Sequence, residues 1–259
     1  MKRDAFTLIE LLVVISIISL LMGILLPALG NVRRQGRAIV CLSNLRQMTI
    51  AANIYTSENN GCYPLAFFMD FLDTSHTYEW DYFKTFENGR IKECKPGFLW
   101  YGKNISGIHQ CPSYKGTANS PGDPYTGYNY NASYIGGSKV KIGNNIIGSD
   151  SAKAVNVRKP SSCAVFGDGQ FESGANKFMR SPRAGKLDEN FPDAYRYAGT
   201  QGYRHEGNAT NVAYADGSAR TVRKICTSEL HKKRIEDHNK INDVKLGFLS
   251  PDNSAYDLK

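Results

Sequence analysis

The chain has 259 residues, 41% of them hydrophobic and 22% charged, a formal net charge of +8 and an isoelectric point near 9.1. That length holds an apolar N-terminal segment and one domain of about 200 residues with a real core, and it does not require a second domain. The positive charge permits attraction to nucleic acid, anionic lipid headgroups or acidic polysaccharide without selecting among them. The six cysteines, Cys41, Cys62, Cys94, Cys111, Cys163 and Cys226, are widely spaced and form no Cys-x-x-Cys pair, which argues against a zinc ribbon or a dithiol redox motif.

In chain order, the first predicted element is residues 6–26, FTLIELLVVISIISLLMGILL, an apolar run whose only charge is Glu10. About 20 such residues are what a helix needs to cross a bilayer, so the run predicts a membrane span. A glutamate at the bilayer centre costs about 2.5–3.5 kcal/mol, and Glu10 therefore requires a partner. A secretory signal peptide would share the basic start and end near Ala28-Leu29-Gly30. Against it, the apolar core exceeds the ~7–15 residues of such a signal and contains a glutamate. An ordinary anchor explains length and composition but not the order Phe6-Thr7-Leu8-Ile9-Glu10. Lys2 and Arg3 flank one end of the run and Arg33, Arg34 and Arg37 the other, so charge does not set its orientation.

Lys2-Arg3-Asp4-Ala5 followed by Phe6-Thr7-Leu8-Ile9-Glu10-Leu11 resembles the leader, cleavage point and first mature residues of type IV pilin-like proteins, a group that includes the type II secretion pseudopilins. The resemblance implies cleavage between Ala5 and Phe6 by a prepilin peptidase, N-methylation of Phe6, and an assembly role for Glu10. Relatives usually carry glycine where Ala5 stands. It further implies a structural subunit of a secretion or pilus filament, held in the inner membrane with its N-terminus in the cytoplasm. The implied partners are the peptidase, other pilin-like subunits, inner-membrane lipid and an exported substrate; no catalytic residue, cofactor or metal is expected. The alternatives are a DNA-binding minor pilin of the competence type and a membrane-anchored surface-binding protein. The fold expected is α+β and pilin-like, a long N-terminal helix packed on an antiparallel sheet. The leader would cover residues 1–5, the transmembrane helix 6–29, its continuation 30–60 and the exported domain 61–259.

Beyond Pro27, apolar or small residues continue at spacings of three and four through Leu29, Val32, Gly36, Ile39, Leu42, Leu45 and Met48, which predicts that the helix carries on to about Asn59 despite a kink. Cys41-Leu42-Ser43-Asn44-Leu45-Arg46-Gln47 resembles the second half of this helix in one pilin-like subgroup. From Leu65 to Lys95 the chain is rich in aromatics, expected to pack as core against the helix, with Trp80, Phe83 and Glu87 on one helical face. Residues 97–102 and 128–135 are strand candidates, 139–147 a weak one, and Ser162 to Phe166 a central strand. Residues 170–198 show no period and predict a long excursion. Thr210 to Val222 predicts a hairpin turning at Asp216-Gly217. With His205, that turn resembles the subgroup's C-terminal signature of His, nine residues, then Asp-Gly, although ten residues intervene here. Ser228 is a candidate cap for a last helix through Ile235 and Ile241.

An enzyme would have to gather His205, Asp216, Asp168, His109 and Glu206 around a metal, but their spacing matches no ligand motif. Calcium is a further option, since pseudopilin relatives can hold it in a C-terminal loop. Asp168 and Asp216 each end an apolar strand and would meet at one rim if those strands were neighbours; two Asp-Gly turns explain them as well. Basic residues 220, 223, 224, 232, 233, 234, 240 and 245 outnumber nearby acids, the feature behind the DNA alternative. If the domain is exported, disulfides are expected, with Cys41–Cys111 the chosen pair because the helix must pack against the loop beside the sheet.

The intact mass of the chain recovered from a host with a prepilin peptidase should begin at Phe6. A product starting at Met1 or Asn31 would contradict the expected processing.

Overall fold

The computed structural model describes residues 8–100, 108, 110–119, 123, 127–172, 174–185, 187 and 193–259. Ala5, Phe6 and His109 lie outside the described residues. Helix α1 (Leu8–Glu58) runs unbroken through Pro27 for 51 residues, about 75 Å at the standard rise. It ends where Asn60 and Gly61 both take positive φ and the Gly61 N–H returns to the Thr56 carbonyl at 2.8 Å. Its two halves differ. Every residue from Leu8 to Leu29 is exposed, whereas Cys41, Asn44, Leu45, Met48, Thr49, Ala52 and Thr56 form a buried face at helical spacing.

After α1 come four strands joined as a meander: β1 (Phe67–Asp70), β2 (His76–Glu79), β3 (Tyr82–Glu87) and β4 (Arg90–Pro96). The shared helical face expected for Trp80, Phe83 and Glu87 is therefore corrected. The competing signal was Asn88-Gly89, where φ values of 53° and 73° make the tight turn that pairs β3 with β4. Phe98–Trp100 is a 3-10 turn, not the start of a strand. Gly97 leads into it because a Cβ there would lie 2.3 Å from the Glu79 carbonyl oxygen.

The strand expected over residues 128–135 shortens to β5 (Asn129–Asn131), followed by a π-helical turn at Ala132–Gly136 that the Asn131 side chain caps by accepting from the Tyr134 N–H. The weak strand at 139–147 is a hairpin of β6 (Ser138–Ile142) and β7 (Asn145–Ser149). Then follow β8 (Ala164–Gly167), β9 (Phe178–Met179), β10 (Gln201–Tyr203), β11 (Thr210–Tyr214), β12 (Ala219–Val222), α2 (Lys232–Ile241) and β13 (Lys245–Gly247). Ser228 does not cap α2; its carbonyl accepts from His231, and the helix begins after that turn.

One sheet has the order β4-β3-β2-β1-β6-β7, a second β12-β11-β8-β5-β9, and β10 pairs with β13. The sheets are mixed rather than wholly antiparallel, because β1 with β6 and β5 with β9 run parallel. As expected, β8 is central and β11–β12 is the hairpin at one edge. Alternation divides the second sheet into two faces. Val165, Ala213, Ala215 and Ala219 share a core with Leu45, Met48 and Ala52 of α1, while Ala164, Val212 and Tyr214 pack with Ile235 of α2, Phe248 and Tyr256. Alanines on the face toward α1 let the helix backbone approach closely.

Two features join the sheets. Trp80 packs on Tyr130 and Phe166 with ring centroids 5.7 and 5.5 Å away, and its indole N–H donates to the Lys177 carbonyl. Beside it, the buried Lys177 ammonium reaches Glu79, Asp81 and Asp123 at 2.8, 2.7 and 3.2 Å, and Lys84 also contacts Glu79 and Asp123. Burial alone would lower the Lys177 pKa, but the surrounding carboxylates hold it well above the usual lysine value. Removing one member of such a network strands the others in low dielectric. Lys177→Met should therefore destabilise the protein by about 3–5 kcal/mol. Denaturant unfolding of the full chain in detergent measures this, and a loss below about 1 kcal/mol, as for a surface pair, would contradict it.

Candidate functional site

Two parts of the molecule are candidates, the bare half of α1 and the place where its covered half meets the second sheet. The bare half is long and apolar enough to cross a membrane, with none of its most apolar stretch buried in the protein. Its serine hydroxyls are bonded within the helix. The Ser16 and Ser19 hydroxyls donate to the carbonyls of Val13 and Ile15 at 2.7 Å, so neither is left unsatisfied. Glu10 lies in the first described turn of this segment. Where the helix leaves it, Arg33, Arg34 and Arg37 line a groove with Ser113, Lys115 and Arg204.

At the junction, four segments converge. Cys41 comes from α1, Cys111 from the connection ahead of β5, Asp168 from the residue following β8 and His205 from the turn after β10. All four are buried, and one donor atom from each lies within 4.8 Å of the others. Cys41 Sγ donates to Asp168 Oδ1 at 3.3 Å, and Cys111 Sγ sits 3.8 Å from His205 Nε2. His205 Nε2 is 2.9 Å from Asp168 Oδ2, which also accepts from the Asn211 N–H at 2.7 Å. Asn211 in turn donates from Nδ2 to the Ala38 carbonyl, tying the sheet to α1.

Local chain geometry explains why these groups meet. Gly207 and Asn208 take positive φ and fold the chain so that His205 and Ala209 exchange backbone hydrogen bonds, which points His205 inward at the start of β11. Arg204 beside it donates to the Gly127 and Gly169 carbonyls and stacks 4.8 Å from the Tyr114 ring centre.

The electrostatics of the four are linked. Burial alone would raise the Asp168 pKa, but the Arg204 charge, His205 and the Asn211 N–H hold it below the usual carboxylate value. Burial alone would lower the His205 pKa; hydrogen bonds to Asp168 and Cys111 lift it to about 9. Burial pushes the Cys41 thiol well up; at Cys111 burial and the Asp168 charge also push upward, but the neighbouring Cys41 and His205 and the charge of Arg204 outweigh them and the pKa falls to about 7.

The sequence-derived candidates separate accordingly. Asp168 and His205 come together, but Asp216 does not join them. Strands β8 and β11 are indeed neighbours, yet they run antiparallel, so Asp168 and Asp216 lie at opposite ends and no rim gathers both. Asp216 occupies the β11–β12 turn, where Gly217 takes φ 86° and the Asp216 carboxylate accepts from the Ser218 N–H. Glu206 is exposed. The expected Cys41–Cys111 disulfide is not formed: the two residues meet, but as free thiols, each facing Asp168 or His205 across the pocket. The other four cysteines are also free. What spacing could not reveal was the joining of the disulfide pair and the carboxylate–histidine pair, because no two of the four are close in sequence.

Residues 1–26 match the prokaryotic N-terminal methylation motif, the segment on which a prepilin peptidase acts. No curated protein and no solved structure matches the chain.

Proposed function

We propose that the protein is a structural subunit, a pseudopilin or minor pilin, of a type II secretion or type IV pilus-like filament, and that it is a substrate of processing rather than a catalyst. The observation that carries this reading is the coincidence of a methylation motif at residues 1–26 with a helix whose first half is wholly uncovered and apolar. Before assembly, lipid covers that half with the N-terminus on the cytoplasmic side and the domain from residue 61 outside. In a filament, the same surface packs against the helices of other subunits. Arg33, Arg34, Arg37 and Lys115 stand where α1 leaves the apolar stretch, at the level of lipid headgroups. Four of the eight basic residues behind the DNA alternative contact other residues of the protein. Arg234 pairs with Glu172, Lys240 with Asp237, Lys245 donates to the Asn239 and Asn242 carbonyls, and Arg220 lies 3.9 Å from the Tyr214 ring centre.

Cleavage before Phe6 creates a charged α-amine close to the apolar core, and Glu10 is the carboxylate within reach of it, in the same chain or from a neighbouring subunit. Such a pair is strong in low dielectric only while both charges remain. Glu10→Leu makes the helix more apolar, and Glu10→Gln keeps the shape without the charge. Both variants should be processed and accumulate in the membrane, yet be missing from filaments released by mechanical shearing. Wild-type amounts of either variant in the sheared fraction would contradict this assignment.

A further inference from the structure

We propose that Cys41, Cys111, Asp168 and His205 bind one structural zinc ion that fastens α1 to the second sheet. The proposal is independent of which filament the protein serves. Four buried groups of metal-ligating type, drawn from four separate segments, bring one donor atom each into a single cluster. Tetrahedral zinc with bonds of about 2.0–2.3 Å places its donors roughly 3.3–3.8 Å apart. The Cys41 Sγ to Asp168 Oδ1 separation of 3.3 Å and the Cys111 Sγ to His205 Nε2 separation of 3.8 Å fall at those values, and no pair of the four exceeds 4.8 Å.

The donor chemistry selects the ion. Two sulfurs and an imidazole nitrogen suit zinc and disfavour calcium or magnesium, which take oxygen ligands. Four protein ligands close the coordination sphere, as in structural rather than catalytic zinc sites. Charge also balances: two thiolates and a carboxylate around a divalent ion leave one negative charge, and the Arg204 guanidinium, fixed on the Gly127 and Gly169 carbonyls, offsets it. Asp168 has its outer partner, because the Asn211 N–H holds Oδ2 and leaves Oδ1 to the ion, whereas His205 Nδ1 is buried without a hydrogen-bond partner among the described residues. Zinc takes the positions of the thiol protons and of the proton between His205 Nε2 and Asp168; no electrons are transferred.

The consequence is mechanical. Without the ion, α1 is held by its apolar face and by hydrogen bonds such as that from Asn211 to Ala38. With it, the helix is cross-linked to the residue that follows the central strand and to the turn before β11.

The test uses the full chain purified in detergent without chelator. Elemental analysis should find one zinc per chain, replacement by cobalt should give the intense visible spectrum of a tetrahedral site with thiolate-to-cobalt absorption, and chelation should lower the melting temperature. Cys41→Ser and His205→Gln should each weaken zinc binding about ten-fold or more, while Cys163→Ser should leave it unchanged. If the ligand variants do not fold, the cobalt spectrum and zinc content of the wild-type protein decide alone. A chain with reduced thiols and no stoichiometric zinc would overturn the proposal, as would a cobalt spectrum without thiolate absorption. So would a Cys41–Cys111 disulfide found by peptide mapping of the exported protein.

Discussion

The structure depends on one mismatch: a helix of about 75 Å has a domain beneath only its second half. Over residues 41–56, the face of Cys41, Leu45, Met48 and Ala52 packs on small side chains of the second sheet, and burial of that apolar face stabilises the join. Over residues 8–29 none of the described residues covers the helix, and Leu8, Ile9, Leu20, Ile24 and Leu26 are each more than 60% exposed. Such a surface in water would drive association, and together with the methylation motif at residues 1–26 it points to membrane anchoring. The long helix is thus an attachment whose second partner lies outside the chain.

Several contacts tie the helix and the two sheets together near the join. The sheet facing α1 has its other face covered by α2 and the C-terminal segment, so it is buried on both sides. Trp80 and the Lys177 network connect this sheet to the meander, and the Cys41, Cys111, Asp168 and His205 group sits where helix and sheet meet.

Much of this was legible in the residues. The apolar run, the amphipathic continuation past Pro27, the central strand ending at Gly167 and the hairpin at Asp216-Gly217 all follow from periodicity and turn chemistry. The aromatic stretch after Leu65 was harder, because Trp80, Phe83 and Glu87 fit a helical spacing while Asn88-Gly89 specified a hairpin; the turn residues were the better guide. The parallel pairings of β1 with β6 and β5 with β9 join segments far apart in the chain, which no local pattern records. The polar junction was visible only in fragments, with Cys41 and Cys111 read as a disulfide and Asp168 and His205 grouped only in an enzyme reading, with Asp216, His109 and Glu206, that no ligand motif supported. An antiparallel register separates those two aspartates and leaves Asp168 facing His205.

The central claim is that residues 8–29 are covered by lipid and not by the protein's own domain. Alkaline carbonate extraction of membranes tests it directly, comparing the full chain with one lacking residues 6–29 and carrying a cleavable export signal instead. The account predicts that the full chain stays with the membrane pellet and that the shortened chain is released as a folded, soluble protein. Release of the full chain into the supernatant as a folded monomer would contradict it.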